Sequence, residues 1–244
     1  MKIKVLTLNI YRYYINWEKR KQLIINYIKK QNPDIVFFQE CFDDGRYNSA
    51  DENQAKQLNK VLKYKECIYS IAEMLRTEGK KVLKTSVFDG LGCLSKFTVK
   101  KIENIRLKRH EGDKHFRIIQ KLIFNIKNKN LIIYHTHFSN RDNFAKWQLE
   151  ETIELVKKEK TIPMIVGDLN IKITEDIKEV TGNIYKNSWN ENIYISYPSH
   201  NEVLDYILIP KIWSFEQIIC EKDDLSDHRP LIAEINLQSK DHKT

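Results

Sequence analysis

The amino-acid sequence predicts an α/β (α+β) protein in which two mixed β-sheets stack face to face with helices outside. Three observations predict it. Apolar runs of strand length recur along the chain, among them Ile35 to Phe38, Leu131 to Thr136 and Met164 to Val166. Segments with apolar residues at helical spacing separate some of these runs, as a parallel crossover requires. Others are separated only by a polar turn, as a hairpin requires. That mixture of connections suits layered mixed sheets.

Taken in order, Lys2 to Ile10 predicts a buried strand. Trp17 to Lys30 follows as a helix, with Ile24, Tyr27 and Ile28 on one face and Pro33 to stop it. Ile35 to Phe38 is a continuous apolar strand, and Ala55, Leu58, Val61 and Leu62 mark a second helix. Ser86 to Val99, with Gly90 and Gly92, predicts a turn entering a strand. Arg117 to Ile126 and Leu131 to Thr136 predict two strands joined by the polar turn Lys127-Asn128-Lys129-Asn130. Ala145, Leu149, Ile153 and Val156 give a helix before Pro163 and the Met164-Ile165-Val166 strand. Val203 to Ile209 and Leu231 to Leu237 supply late strands, and Gln238 to Thr244 reads as a frayed tail. With no Pro/Gly/Ser-rich linker and no internal repeat, residues 1–237 read as one domain with a sizeable core.

Composition adds bounds rather than a function. Lys plus Arg is 41 against 33 Asp plus Glu, a formal charge of +8. Such an excess attracts anionic substrates at long range, but heavy use of Lys throughout the chain produces the same excess as a solvated surface. Cys41, Cys67, Cys93 and Cys220 are far apart and form no CxxC pair, which argues against a zinc site or a dense disulfide framework and for reduced thiols. The amino terminus does not resemble a secretory signal, and no run approaches the ~20 apolar residues of a membrane span. A soluble, cytoplasmic, monomeric protein is the expectation.

The chemistry-bearing residues stand just past predicted strands. Gly167-Asp168-Leu169-Asn170 follows the Ile162 to Val166 run, and Ser226-Asp227-His228-Arg229-Pro230 answers it near the other end. Glu40 stands where the Ile35 to Phe38 strand opens to solvent, and Asn9 holds the same place after Val5 to Leu8. A carboxylate there is a hard oxygen ligand for Mg²⁺; standing alone it is more often an ordinary strand-end charge. Asp168 and Asn170, two residues apart, would point to the same side in an extended segment. His135 and His137 share one face of a strand with no third His or Cys nearby, so zinc is unattractive, and His137 is favoured as the phosphate contact. Asp205, inside Val203-Leu204-Asp205-Tyr206-Ile207, would be costly without a partner, and accepting the second N–H of His228 would supply one. Acids and imidazoles delivered by several strand ends are what metal-assisted phosphoester hydrolysis needs.

Six segments in order, Leu6-Thr7-Leu8-Asn9, Phe38-Gln39-Glu40, Thr136-His137-Phe138, Gly167-Asp168-Leu169-Asn170, Leu204-Asp205-Tyr206-Ile207 and Ser226-Asp227-His228-Arg229-Pro230, resemble the signature blocks of the endonuclease/exonuclease/phosphatase superfamily. That resemblance spans nearly the whole chain and implies the four-layer, deoxyribonuclease I-like sandwich with its site on the strand-end rim. It also implies roles. Glu40, helped by Asn9 and Asp227, would bind Mg²⁺ or Mn²⁺. Asp168 would align or deprotonate the attacking water, and Asn170 and His137 would hold the phosphate oxygens. Asp205 would orient His228, which would stabilise the pentavalent transition state or protonate the leaving oxygen. Arg117 is the candidate for the family's additional phosphate contact.

One scaffold of this kind serves many esters. Nucleic acid is the expected substrate, on the basic balance and on Tyr11, Arg12, Tyr13 and Tyr14, which would supply stacking and phosphate contacts beside the Asn9 block. A phosphoinositide, sphingolipid or small phosphate ester is the alternative, with Ile193-Tyr194-Ile195-Ser196-Tyr197 the stretch that resembles a lipid-facing hairpin. A non-catalytic binding module is disfavoured, because every required acidic and imidazole position is present.

Overall fold

The structure, a computed structural model, describes residues 1–47, 52–78, 80–221 and 225–238. Two six-stranded sheets pack face to face. The first contains β1 (Lys2–Asn9), β2 (Ile35–Asp44), β3 (Glu66–Glu78), β4 (Lys81–Ser95), β11 (Ser214–Cys220) and β12 (Leu231–Asn236), in the spatial order β11-β12-β1-β2-β4-β3. The second contains β5 (Thr98–Arg106), β6 (Ile118–Ile126), β7 (Lys129–His137), β8 (Met164–Asp168), β9 (Tyr185–Asn187) and β10 (Asp205–Pro210), in the order β5-β6-β7-β8-β10-β9. Each sheet has one parallel central pair: β1 with β2 across helix α1 (Trp17–Gln31), and β7 with β8 across α3 (Asp142–Val156). Smaller helices are α2 (Gln54–Leu62), α4 (Thr174–Thr181) and α5 (Ser188–Glu191). Among the described residues no helix is long and apolar enough to cross a membrane.

Alternation along the central strands builds the layers. In β1, Leu6 and Leu8 pack with Ile24, Ile25 and Ile28 of α1, while Ile3 and Val5 join Phe37, Ile119 and Leu122 in the larger core. In the second sheet Ile133 shares the face of His135, which bonds Gln39 of the first sheet, while Ile165 shares the opposite face with Tyr134; Ala145, Leu149 and Ile153 of α3 belong to the same core. Each such side chain, fully buried, contributes about 1.5–3 kcal/mol. Helix α1 begins at Asn16, whose side chain accepts from Lys19 N–H, and ends at left-handed Asn32, whose N–H bonds Ile28 O just before Pro33.

The middle of the chain differs from the sequence expectation. Ser86 to Val99 is no turn entering a strand: β4 runs straight through Gly90 and Gly92, and the reversal into β5 comes at Lys96 and Phe97. Gly90 is there for closeness, since a Cβ would lie 2.4 Å from Ser70 O and 2.8 Å from the Tyr69 ring. Strands β3, β5 and β11 lack a continuous apolar run because each carries charged residues and exposes part of its surface. The turn between β6 and β7 is only Lys127-Asn128, both left-handed, which closes a two-residue hairpin on the Ile126–Lys129 pair. Ile193 to Tyr197 forms no hairpin; Tyr194 and Ser196 are buried and Ile193 points outward. The four cysteines are unpaired. Of the expected tail, residues 239–244 lie outside the described residues.

Gly167 sets the close approach of β7 and β8. It has φ +140°, and a Cβ would fall 1.9 Å from Thr136 O. Gly167→Ala is therefore expected to cost about 2–4 kcal/mol in urea unfolding, from combined strain and clash. A midpoint matching the unsubstituted protein would show that these strands tolerate separation.

Candidate active site

Asp168, at the end of β8, forms the floor of an open cleft of about 320 Å³. It is 1% exposed. Asn9 Nδ2–H, from the opposite sheet, donates to its Oδ2 at 3.1 Å, and the Asn170 backbone N–H donates to Oδ1 at 3.0 Å. Two imidazoles face the same oxygen, His137 Nε2 at 3.5 Å and His228 Nε2 at 3.8 Å. Burial raises the Asp168 pKa, helped by the nearby Asp205 and opposed by His228 and the two hydrogen bonds. The segment Asp168 to Asn170 is not extended, because Asn170 is left-handed with φ 50°. Its side chain reaches the cleft through that turn, with one amide N–H on Phe138 O.

Behind this floor, Asp205 pairs directly opposite Asp168 in the antiparallel β8–β10 register. Its Oδ2 accepts from His228 Nδ1–H at 2.7 Å, both side chains being buried. Burial opposes a charge on His228, but Asp205 and Asp168 outweigh it and raise the pKa, favouring imidazolium. Tyr197 packs 4.8 Å from the same ring and also stacks on His200.

The far wall holds the oxygen donors. Glu40 sits in a β-bulge of β2 with φ 46°, a kink that turns its carboxylate into the cleft. Arg12 Nε–H donates to Glu40 Oε2 at 3.0 Å, and its guanidinium lies 4.7 Å over Phe42. Asp227 accepts from Ser226 Oγ–H, and its pKa is raised by burial and by Glu40. Asn9 Oδ1 accepts from Tyr11 N–H and has a second lone pair. Two half-buried carboxylates beside an amide oxygen suit a hard divalent cation. A second donor set, Asp168, Asp205 and His228, has ligand atoms within 4.8 Å of one another, although Asp205 and His228 already bond each other.

On the remaining side Arg117 Nη1–H donates to His137 Nδ1 at 3.1 Å. A guanidinium can only donate, so His137 must be neutral with its proton on Nε2, aimed at the cleft. Burial, then Arg117, push its pKa well down, which agrees. Arg117 in turn faces buried Asp89 at 3.9 Å, whose pKa is pushed up to about 6 by burial against the pull of Arg117 and Arg12. His135 lies deeper, outside the cleft lining, bonded to Gln39 and Gln120, and burial lowers its pKa to about 3.

The cleft thus gathers Asn9, Tyr11, Arg12, Glu40, Arg117, His137, Asp168, Asn170, Asp227 and His228, with Asp205 directly behind. His115, Asn140, Lys172, Tyr197, His200 and Glu202 also line it and carry no strand-end signal in the sequence. His115 and Arg117 alternate into β6, which is the one pattern that would have marked His115. Arg20 was equally hidden: from α1 it donates to the carbonyls of Ile10, Tyr11, Arg12, Tyr14, Ile15 and Leu225 and so clamps the rim loop.

Residues 6–228 match the model of the Endonuclease/Exonuclease/phosphatase family. The chain belongs to that family. Solved structures give the same fold. An endonuclease/exonuclease/phosphatase from Beutenbergia cavernae superposes with TM-score 0.82 at 15% identity, over 97% of this chain and 72% of that one. The human Nocturnin catalytic domain with bound sulfate gives 0.72 at 20% identity, over 96% and 94%. The mannosyl-6-phosphatase of Bacteroides thetaiotaomicron gives 0.69 at 14% identity, over 96% and 100%. A stretch of 46 residues is 48% identical to an uncharacterized protein of Acanthamoeba polyphaga mimivirus, covering 16% of this chain and only 17% of that relative. Family membership supports phosphoester hydrolysis without specifying the ester.

Arg117→Met should release the His137 tautomer. Nitrogen NMR of the imidazole should show the Nε2–H form in the unsubstituted protein and a tautomer mixture in the variant. A mixture in both would remove Arg117 as the tautomer-setting group.

Proposed function

We propose that this protein is a divalent-metal-dependent phosphodiesterase that cleaves nucleic acid. The observation that carries the reading is the buried Asp205–His228 pair facing Asp168, across one cleft from the Glu40 and Asp227 carboxylates. Asp168, held by Asn9 and the Asn170 N–H, is a base whose pKa burial lifts toward neutrality, suited to aligning and deprotonating the attacking water. Asn170 and the Nε2–H of His137 donate to phosphate oxygens. His228, kept cationic by Asp205, faces the same centre to stabilise the five-coordinate phosphorus or protonate the leaving oxygen. Glu40, Asn9 and Asp227 would hold Mg²⁺ or Mn²⁺, which would supply a Lewis acid to a phosphoryl oxygen. The rim supports a nucleotide chain: Tyr11, Arg12 and Lys172 line it beside the stacked Tyr197 and His200.

Activity on a single-stranded oligonucleotide should vanish in EDTA and return with Mg²⁺ or Mn²⁺, and Glu40→Gln should raise the cation concentration required. Full activity in chelator would sink the metal assignment. His228→Ala and Asp168→Asn should each lower kcat by ~10²-fold or more with an unchanged circular dichroism spectrum, and Asp205→Asn should do less. Near-normal kcat in His228→Ala would make that imidazole structural. Turnover of phosphoinositide, sphingomyelin or sugar phosphate, with none of oligonucleotide, would replace the substrate class and leave the chemistry.

A further inference from the structure

We infer that the surface formed by residues 106–117 and the first turns of α3 binds single-stranded nucleic acid that runs on from the cleft, an inference that rests on the nucleic-acid reading above. The segment between β5 and β6 is unlike the rest of this Lys-rich chain. It holds Arg106, Lys108, Arg109, Lys114 and Arg117 with His110 and His115, against Glu111 and Asp113. Asp113 is buried and used internally: its carboxylate accepts from Ser139 Oγ–H at 2.5 Å and from the His115 N–H at 3.1 Å. Through Ser139 the segment is tied to the approach to α3, and Arg141 adds a bond to Gly112 O at 3.3 Å.

Two properties of this surface point to a ligand. Its exposed cations Arg106, Lys108, Arg109, Lys114 and Arg141 lie close along one stretch and form no ion pair among the described residues. Like charges gathered on one face repel each other, which a polyanion would relieve. The cations are also interleaved with rings. Arg106 and Arg109 lie 4.9 Å and 4.6 Å from the Phe116 centroid. His110 lies nearly parallel to Phe144 and 4.6 Å from Trp147, which is 39% exposed.

Rings beside unpaired cations are the arrangement that stacks bases and neutralises phosphates along a single strand. A duplex hides its base faces, so rings of this kind favour unpaired nucleotides. Continuity with the cleft follows from the chain itself, since His115 and Arg117 at the end of the segment, and Asn140 beside α3, line the cleft wall. A strand whose scissile phosphate lies over Asp168 therefore meets this surface on one side.

The experiment measures fluorescence anisotropy of a labelled oligothymidylate with Mg²⁺, in the inactive Asp168→Asn background. The variants are Arg106→Ala with Lys108→Ala, and separately Trp147→Ala; the first pair is exposed and keeps the test open should Trp147→Ala fold poorly. Each is expected to weaken binding roughly 5-fold or more. The double variant should also flatten the log K against log salt slope by about 1.4. In the active background, turnover of bis(p-nitrophenyl) phosphate should stay unchanged. Unchanged affinity in well-folded variants, with oligonucleotide still cleaved by the unsubstituted protein, would overturn the surface and leave the catalytic reading standing. No oligonucleotide binding or cleavage by the unsubstituted protein, with the small diester hydrolysed, would overturn both surface and substrate. Binding to phosphatidylserine vesicles in place of oligonucleotide, lost in the same variants, would reassign the surface to a membrane.

Discussion

A buried carboxylate is an expensive thing to fold around, and Asp168 shows what the two sheets must do to hold one. Its partners come from both: Asn9 from β1 across the interface, the Asn170 backbone from its own turn, with His137 and His228 facing it. A line of buried polar contacts continues between the sheets, from Thr7 to Gln39, then His135, Gln120 and Ser70. These bonds are directional where apolar packing is not, so they fix the sliding position of one sheet on the other. The strand ends that carry the site meet only in that position.

Strain collects where this geometry is used. Tyr11, Arg12, Glu40 and Asn170 are all left-handed, although none is glycine, and all four line the cleft. Such conformations persist only where surroundings over-determine them. Arg20 does so for the rim loop by donating to six carbonyls. The β-bulge does so for Glu40. Two buried atoms at or just behind the cleft, Arg117 Nε and Asp205 Oδ1, have no hydrogen-bond partner among the described residues. Polar atoms left unsatisfied at a cleft are where a ligand, water or ion gains most from binding.

Structural neighbours share this scaffold at 14–20% identity, from a Nocturnin catalytic domain to a mannosyl-6-phosphatase. The fold therefore leaves the ester open. What distinguishes this chain must be sought on the rim and beyond, in the Tyr11–Arg12 turn, the Tyr197–His200 stack and the cationic, aromatic segment that leads into β6.

The sequence by itself determined the central strands and the residues at their ends. An apolar run that stops at Asn9, Glu40, His137 or Asp168 is a local signal, because burial ends where the strand leaves the core. Asp205 was legible for the same reason, as a charge too costly to bury alone. Tertiary structure decided the rest. Strands β3, β5 and β11 take their order from pairing with a neighbour, which no local apolar pattern records. Asn170 departs from the extended geometry that its spacing from Asp168 suggests, because a left-handed turn is selected by its contacts. Arg20, His115 and Asp89 act across 5 to 205 residues of sequence or through a buried network, so their partners exist only once the chain has folded.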